Sequence, residues 1–150
     1  VAYAEHESIV DLSCVAFARI LAYDTRFFPV ERRRFLESWL AMPNASGCAV
    51  VDGDELRGYG VIRSCKTGYK IGPLFAEDAA AAEAIYSTLV SSIPDVPVYL
   101  DVPEVNAAAV AMMASMALPP ARIIESPACD ANGCVVDTTL RVISGERPPW

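Results

Sequence analysis

Two periods divide this chain. Between residues 29 and 42 the apolar positions recur at helical spacing: Phe35, Leu36, Trp39 and Leu40 form one stripe, with Pro29 suited to the first turn and Pro43-Asn44 to the end. The stripe predicts a helix buried along that face. Arg33 and Glu37 stand four apart on its outer face, whereas Arg32 lies three, four and seven residues before Phe35, Leu36 and Trp39 and so borders the apolar side. From Gly47 the period shortens to two, which predicts strands over residues 48–51 and 56–64. They flank Asp52-Gly53-Asp54-Glu55, whose Asp-Gly step suits a hairpin. A third strand follows over 69–76.

Beyond it the helical period returns. Asp78 is placed to cap a helix running to about residue 92, with Ala82, Ile85, Leu89 and Ile93 on its inner face. Residues 96–102 read as a buried strand, Pro103 as the start of a helix that Pro119 ends, and 121–128 and 135–143 as two strands around the Asn132-Gly133 turn. Residues 1–22 mix apolar and small side chains without a clean period and read as a lead-in, partly helical over 14–22. The order predicts a mixed α/β fold, a mostly antiparallel sheet flanked by helices, in one domain over residues 1–150. No internal repeat is visible.

Composition narrows the classes. A hydrophobic fraction of 53% with 21% charged residues is that of a folded chain, and no apolar run reaches the roughly 18 to 20 residues of a membrane span. The net charge of −7 and pI near 4.6 argue against binding nucleic acid through its phosphates. Arg32-Arg33-Arg34 is the only basic cluster, and Glu31 and Glu37 flank it. Five cysteines at 14, 48, 65, 129 and 134 do not make a disulfide framework; reduced thiols in a cytoplasmic protein are expected, with Cys129 and Cys134 the one pair that a turn could bring together. The single histidine, His6, and the absence of a Cys-x-x-Cys give no zinc pattern. The chain opens without methionine or a signal-peptide pattern, as a piece of a longer protein would.

Candidate chemistry gathers in two places. Tyr23, Asp24, Arg26 and Arg32 either line a substrate groove or form an ion-pair network tying the lead-in to the first helix. Asp101, at the end of the strand over 96–102, either holds a substrate ammonium or caps the helix that Pro103 opens. Tyr69 and Tyr99 read as strand residues, and Met112, Met113 and Met116 as core.

Three stretches in order, Tyr23-Asp24 with Arg26, Phe28-Pro29 and Arg32, then Ile71-Gly72-Pro73-Leu74, then Leu100-Asp101-Val102-Pro103 with Asn106 and Ala109, resemble the GCN5-related N-acetyltransferase (GNAT) superfamily. Within it they are most similar to the second domain of tandem acetyltransferase-like proteins of the YitH/HolE type. The resemblance implies acetyl-CoA as cofactor, held by the backbone of Leu74, Phe75 and Ala76 and by Asn106, which serves equally as a cap of its own helix. It implies Tyr23, Asp24, Arg26, Arg32 and Asp101 on the substrate side, a small-molecule amine or metabolite as acceptor, and a neighbouring GNAT domain or a second copy as partner.

Three departures from the family pattern are written in the sequence. Where the family carries a glycine-rich loop for the pyrophosphate, this chain reads Ala79-Ala80-Ala81-Ala82-Glu83-Ala84, with no glycine and no basic residue. Lys70 stands where many members place a glutamate base, and an ammonium does not accept the amine's proton at neutral pH without a large downward shift. Met113 stands where a tyrosine protonates the thiolate, and a thioether has no proton to give. Two functions therefore stand side by side: acetyl-CoA-dependent N-acetyl transfer to an amine in the parent protein, or a non-catalytic ligand-binding or dimerisation module of the same fold.

Overall fold

The computed structural model describes residues 7–27, 30–93, 96–103, 107, 111–112, 121–125 and 139–144. They fall into two compact units, one drawn from residues 1–64 and 72–93, the other from 65–71 and 94–150. Strand β4 is shared between them along the chain.

In the first unit, β1 (Glu7–Asp11) leads through a 3-10 turn (Leu12–Cys14) into α1 (Phe17–Asp24), α2 (Arg33–Leu40), β2 (Ala45–Asp52) and β3 (Glu55–Cys65). The end of β4 (Gly68–Ala76) and α3 (Ala79–Ser91) complete it. β1 pairs antiparallel with β2, from Glu7↔Asp52 to Asp11↔Cys48, and β2 with β3, from Ala45↔Arg63 to Asp52↔Glu55. Gly53 turns that hairpin with a φ of 57°, which glycine adopts without the steric cost an L side chain meets. The Asp-Gly step thus does what the sequence predicts. The lead-in is more ordered than its pattern suggests: residues 7–11 form an edge strand, and the helix begins at Phe17 instead of residue 14.

Period-2 alternation sends Tyr59 and Val61 of β3 into a core with Leu12, Val15, Ile20, Tyr23, Ala49 and Leu56. The glycines alternating with them, Gly58 and Gly60, serve the other face. A Cβ on Gly60 would stand 2.6 Å from Ile85 Cγ2, and one on Gly58 2.8 Å from the Phe75 carbonyl oxygen, so α3 lies directly on bare backbone. Helix α3 meets it with small residues: Ala81 and Ala84 are buried beside Ile85, Tyr86 and Leu89. Ala82 and Ile93, assigned to the inner face from the sequence, are only half-buried. The α2 stripe is likewise split. Leu36 is fully buried, while Phe35 is 42% exposed.

The second unit is a sheet in the order β4-β5-β7-β6, where β5 is Val98–Pro103, β6 Ala121–Glu125 and β7 Thr139–Ser144. β4 and β5 run parallel, with Tyr69, Lys70 and Ile71 opposite Val98, Tyr99 and Leu100. β7 is antiparallel to both β5 and β6. Thr67 Oγ1 and Tyr99 Oη share a hydrogen bond of 3.2 Å, which seats Tyr99 as a strand residue. Pro103 is the last residue of β5 and not the first of a helix; helical backbone is described only at Ala107, Ala111 and Met112, and Met112 is buried. The Asn132-Gly133 turn, Met113, Met116, Cys129 and Cys134 lie outside the described residues. Cys14, Cys48 and Cys65 are free thiols.

Candidate functional site

Four of the predicted site residues, Tyr23, Asp24, Arg26 and Arg32, lie in the first unit, in two clusters. Asp24 closes α1 and is fully buried. Arg32 stands at the N-cap of α2, and its Nε and Nη2 donate to Asp24 Oδ2 and Oδ1 at 2.7 and 2.8 Å. Tyr59 Oη, from the middle of β3, donates to the same Oδ1 at 2.6 Å. Burial alone would raise the Asp24 pKa, but the Arg32 hydrogen bonds, the Tyr59 hydroxyl and the guanidinium charge outweigh it and hold the carboxyl below its ordinary value. Burial, with the hydrogen bond to Asp24, pushes the Tyr59 phenol up. Both Asp24 oxygens are engaged. The bidentate pair fastens α1 to the start of α2, and Tyr59 fastens both to the sheet.

A second cluster surrounds the N-terminus of α3. Asp78 caps it, its Oδ1 accepting from Ala81 N at 2.8 Å. Asp78 Oδ2 also receives Arg57 Nη2 at 3.2 Å, and Arg57 Nε faces Glu7 Oε1 at 3.6 Å. Glu77 is gripped by Arg26, whose Nη1 and Nη2 donate to its Oε1 and Oε2. Tyr23 Oη donates to the Arg57 carbonyl at 3.0 Å, and burial followed by the Glu77 charge pushes its phenol up. The loop that lacks basic residues in sequence thus has two arginines in space, each already holding a carboxylate of the chain itself. Arg57 and Glu77 escape a reading of local motifs because their partners lie on other elements.

The β4 residues that the resemblance expects on the cofactor side divide by alternation. Leu74 Cγ is 3.6 Å from where a Gly60 Cβ would be, on the α3 side. Phe75 turns to the other face, stacked on Phe27 at 4.5 Å between centroids and edge-on to Tyr59 at 5.9 Å, with the Arg32 guanidinium 6.0 Å above it. Ala76 leads into Glu77, whose N–H donates to the Arg57 carbonyl at 2.9 Å. Asp101 is opposite Arg141 in the β5–β7 register, two residues short of the strand end where the sequence reading put it. Its side chain and Asn106 lie outside the described residues. Among the described residues there is no cluster of His, Cys, Asp or Glu able to hold a metal, and no helix long and apolar enough to cross a membrane.

The fold is found in solved acetyltransferases. The structure of Arabidopsis thaliana NAA60 in complex with acetyl-CoA matches with a TM-score of 0.69 at 16% identity, covering 91% of this chain and 97% of that one. The ribosomal-protein-S18-alanine N-acetyltransferase of Escherichia coli matches with a TM-score of 0.64 at 13% identity, over 96% and 99%. In sequence, the chain is similar to the holothin acyltransferase of Pseudoalteromonas sp. (strain SANK 73390), 24% identical over 88 residues. That match spans 58% of this chain but only 30% of the relative's length. A family model for the acetyltransferase (GNAT) domain covers residues 20–124, from α1 through β6, and with it the Asp24–Arg32 clasp and the capped α3; the chain belongs to the GNAT acetyltransferase family.

Proposed function

We propose that this chain is the non-catalytic half of a two-domain acyltransferase, in whose parent protein an acetyl group passes from acetyl-CoA to the amine of a small molecule. The observation behind it is the α3 N-terminus. A helix N-terminus attracts a pyrophosphate through its free N–H groups and dipole, and here the Asp78 carboxylate accepts from Ala81 N at 2.8 Å, with Glu77 beside it. An arriving pyrophosphate meets two carboxylates whose arginine partners are already engaged. These residues do not fit the cofactor's diphosphate. The greater length of the curated relative agrees with a second domain that carries the cofactor.

Calorimetric titration with acetyl-CoA and with free coenzyme A tests this. No binding is expected at micromolar concentration. Asp78→Asn keeps a good N-cap while removing the charge, so it is expected to tighten coenzyme A binding by about 2- to 5-fold, the worth of one charge at a helix end. Micromolar binding by the unaltered chain would overturn the reading, as would an Asp78→Asn variant that binds no better.

A further inference from the structure

Arg63 is a half-buried arginine outside the clusters above. It sits near the end of β3, its guanidinium lies 4.9 Å from the centroid of the Trp39 ring, and its Nε is buried with no hydrogen-bond partner among the described residues. Arg26, Arg32, Arg33 and Arg57 each hold a carboxylate; among the described residues Arg63 has none within ion-pair distance. A partly desolvated guanidinium retained without an anion is poised to take one, and its planar fork matches a carboxylate.

Its surroundings are built to hold it still. Trp39 Nε1 donates to the Gly72 carbonyl at 2.9 Å, which fixes the indole on which Arg63 rests. Phe35 stacks on the same indole at 5.2 Å and is itself 42% exposed. Beside the stack there is room for an apolar body. Ala45, the strand partner of Arg63, and Val61, two residues before it on the same face, both line a cavity of about 310 Å³. Its other walls include Leu12, Phe17, Ile20 and Leu40. Asp11 and Ser13 form its polar edge and are bonded to each other, Asp11 Oδ1 accepting from Ser13 N at 2.9 Å and Ser13 Oγ at 2.6 Å.

We infer that Arg63, Trp39 and the adjoining cavity form a binding site for a small monocarboxylate with an apolar body. The carboxylate takes the free edge of the Arg63 fork and the body enters the cavity. The acidic Asp11 edge turns the anionic end toward Arg63. This site operates whether or not the chain binds a coenzyme, because none of its residues belongs to the α3 N-terminus.

Benzoate and its uncharged counterpart benzamide test it by NMR titration of the full chain, read on the Trp39 indole N–H. Saturable binding of benzoate is expected, with benzamide at least tenfold weaker. Arg63→Gln is expected to abolish the difference between the two ligands, and Arg63→Lys, which keeps charge but not the fork, to restore only part of it. Equal binding of the two ligands to the unaltered chain would overturn the inference. So would an Arg63→Gln variant with the unaltered chain's preference, or no saturation by benzoate at about 20 mM.

Discussion

Arg32→Met is expected to destabilise the protein by about 3–5 kcal/mol, the usual cost of removing one partner of a buried ion pair. The reason is what remains. Asp24 is fully buried and, among the described residues, keeps only the Tyr59 hydroxyl once the two Arg32 hydrogen bonds are gone. Methionine replaces the aliphatic stem but not the charge, so the loss measures an uncompensated carboxylate and not a cavity. Chemical denaturation should show a lower midpoint at unchanged slope, and the melting temperature should fall by about 10 °C. A loss below about 1 kcal/mol would mean that water reaches Asp24 and that the clasp is ornamental. The pH dependence carries a sign of its own. A carboxyl held below its ordinary value in the folded state contributes stability above its unfolded pKa, near 3.9, and loses it as the pH falls from there through the folded value. The stability gap between the natural chain and Asp24→Asn should therefore be level above about pH 5 and shrink below about pH 4.

Gly68→Ala is expected to cost about 3 kcal/mol or more, through two effects at one atom. Gly68 has a φ of 141°, which an L side chain rarely adopts, and a Cβ there would run into the Pro97 carbonyl oxygen. That oxygen is the acceptor for Tyr69 N at 3.0 Å, the bond that leads into the parallel pairing of β4 with β5. A backbone carbonyl cannot swing aside as a side-chain tip can. Gly53→Ala is the control: its φ of 57° also disfavours alanine, but nothing lies near the added methyl, so about 1–2 kcal/mol is expected. Amide exchange at Tyr69 should accelerate in Gly68→Ala alone. Equal losses in the two variants would show that the clash is relieved by local movement and that only backbone strain counts.

The parts of this fold legible in the sequence are those whose cause is local. Asp78 as a cap needs only its distance from Ala81, and Gly53 as a turn only the Asp-Gly step, so both appear where the pattern places them. The strand over residues 7–11 was hidden because an edge strand of five residues shows no buried alternation. Phe35 misled for a related reason. Helical spacing assigns it to the stripe, but Leu36 alone takes the buried seat while Phe35 stacks on Trp39 near the surface. Arg32 and Asp24 stand in the sequence within one charged cluster with Tyr23 and Arg26, whereas Tyr59, which completes their bonding, lies 35 residues from Asp24 and is reachable only through the sheet. The same holds for Arg57 with Asp78 and Arg63 with Trp39, because a guanidinium's partner is chosen by topology and not by spacing.

The bare backbone of Gly58 and Gly60 beneath α3 makes substitutions there interdependent. A methyl added at Gly60 meets Ile85 Cγ2, a side-chain atom, whereas one at Gly58 meets the Phe75 carbonyl, which no rotamer change can remove. Growth at Gly60 is therefore compatible with shrinkage at Ile85, so the pair should drift together among relatives, with each single change harmful in a background that tolerates the double one. A methyl at Gly58 also meets Ile85 Cδ1 at 2.9 Å, but shrinking Ile85 leaves the carbonyl clash in place. One glycine is free to covary, and its neighbour two residues earlier is held fixed by the main chain.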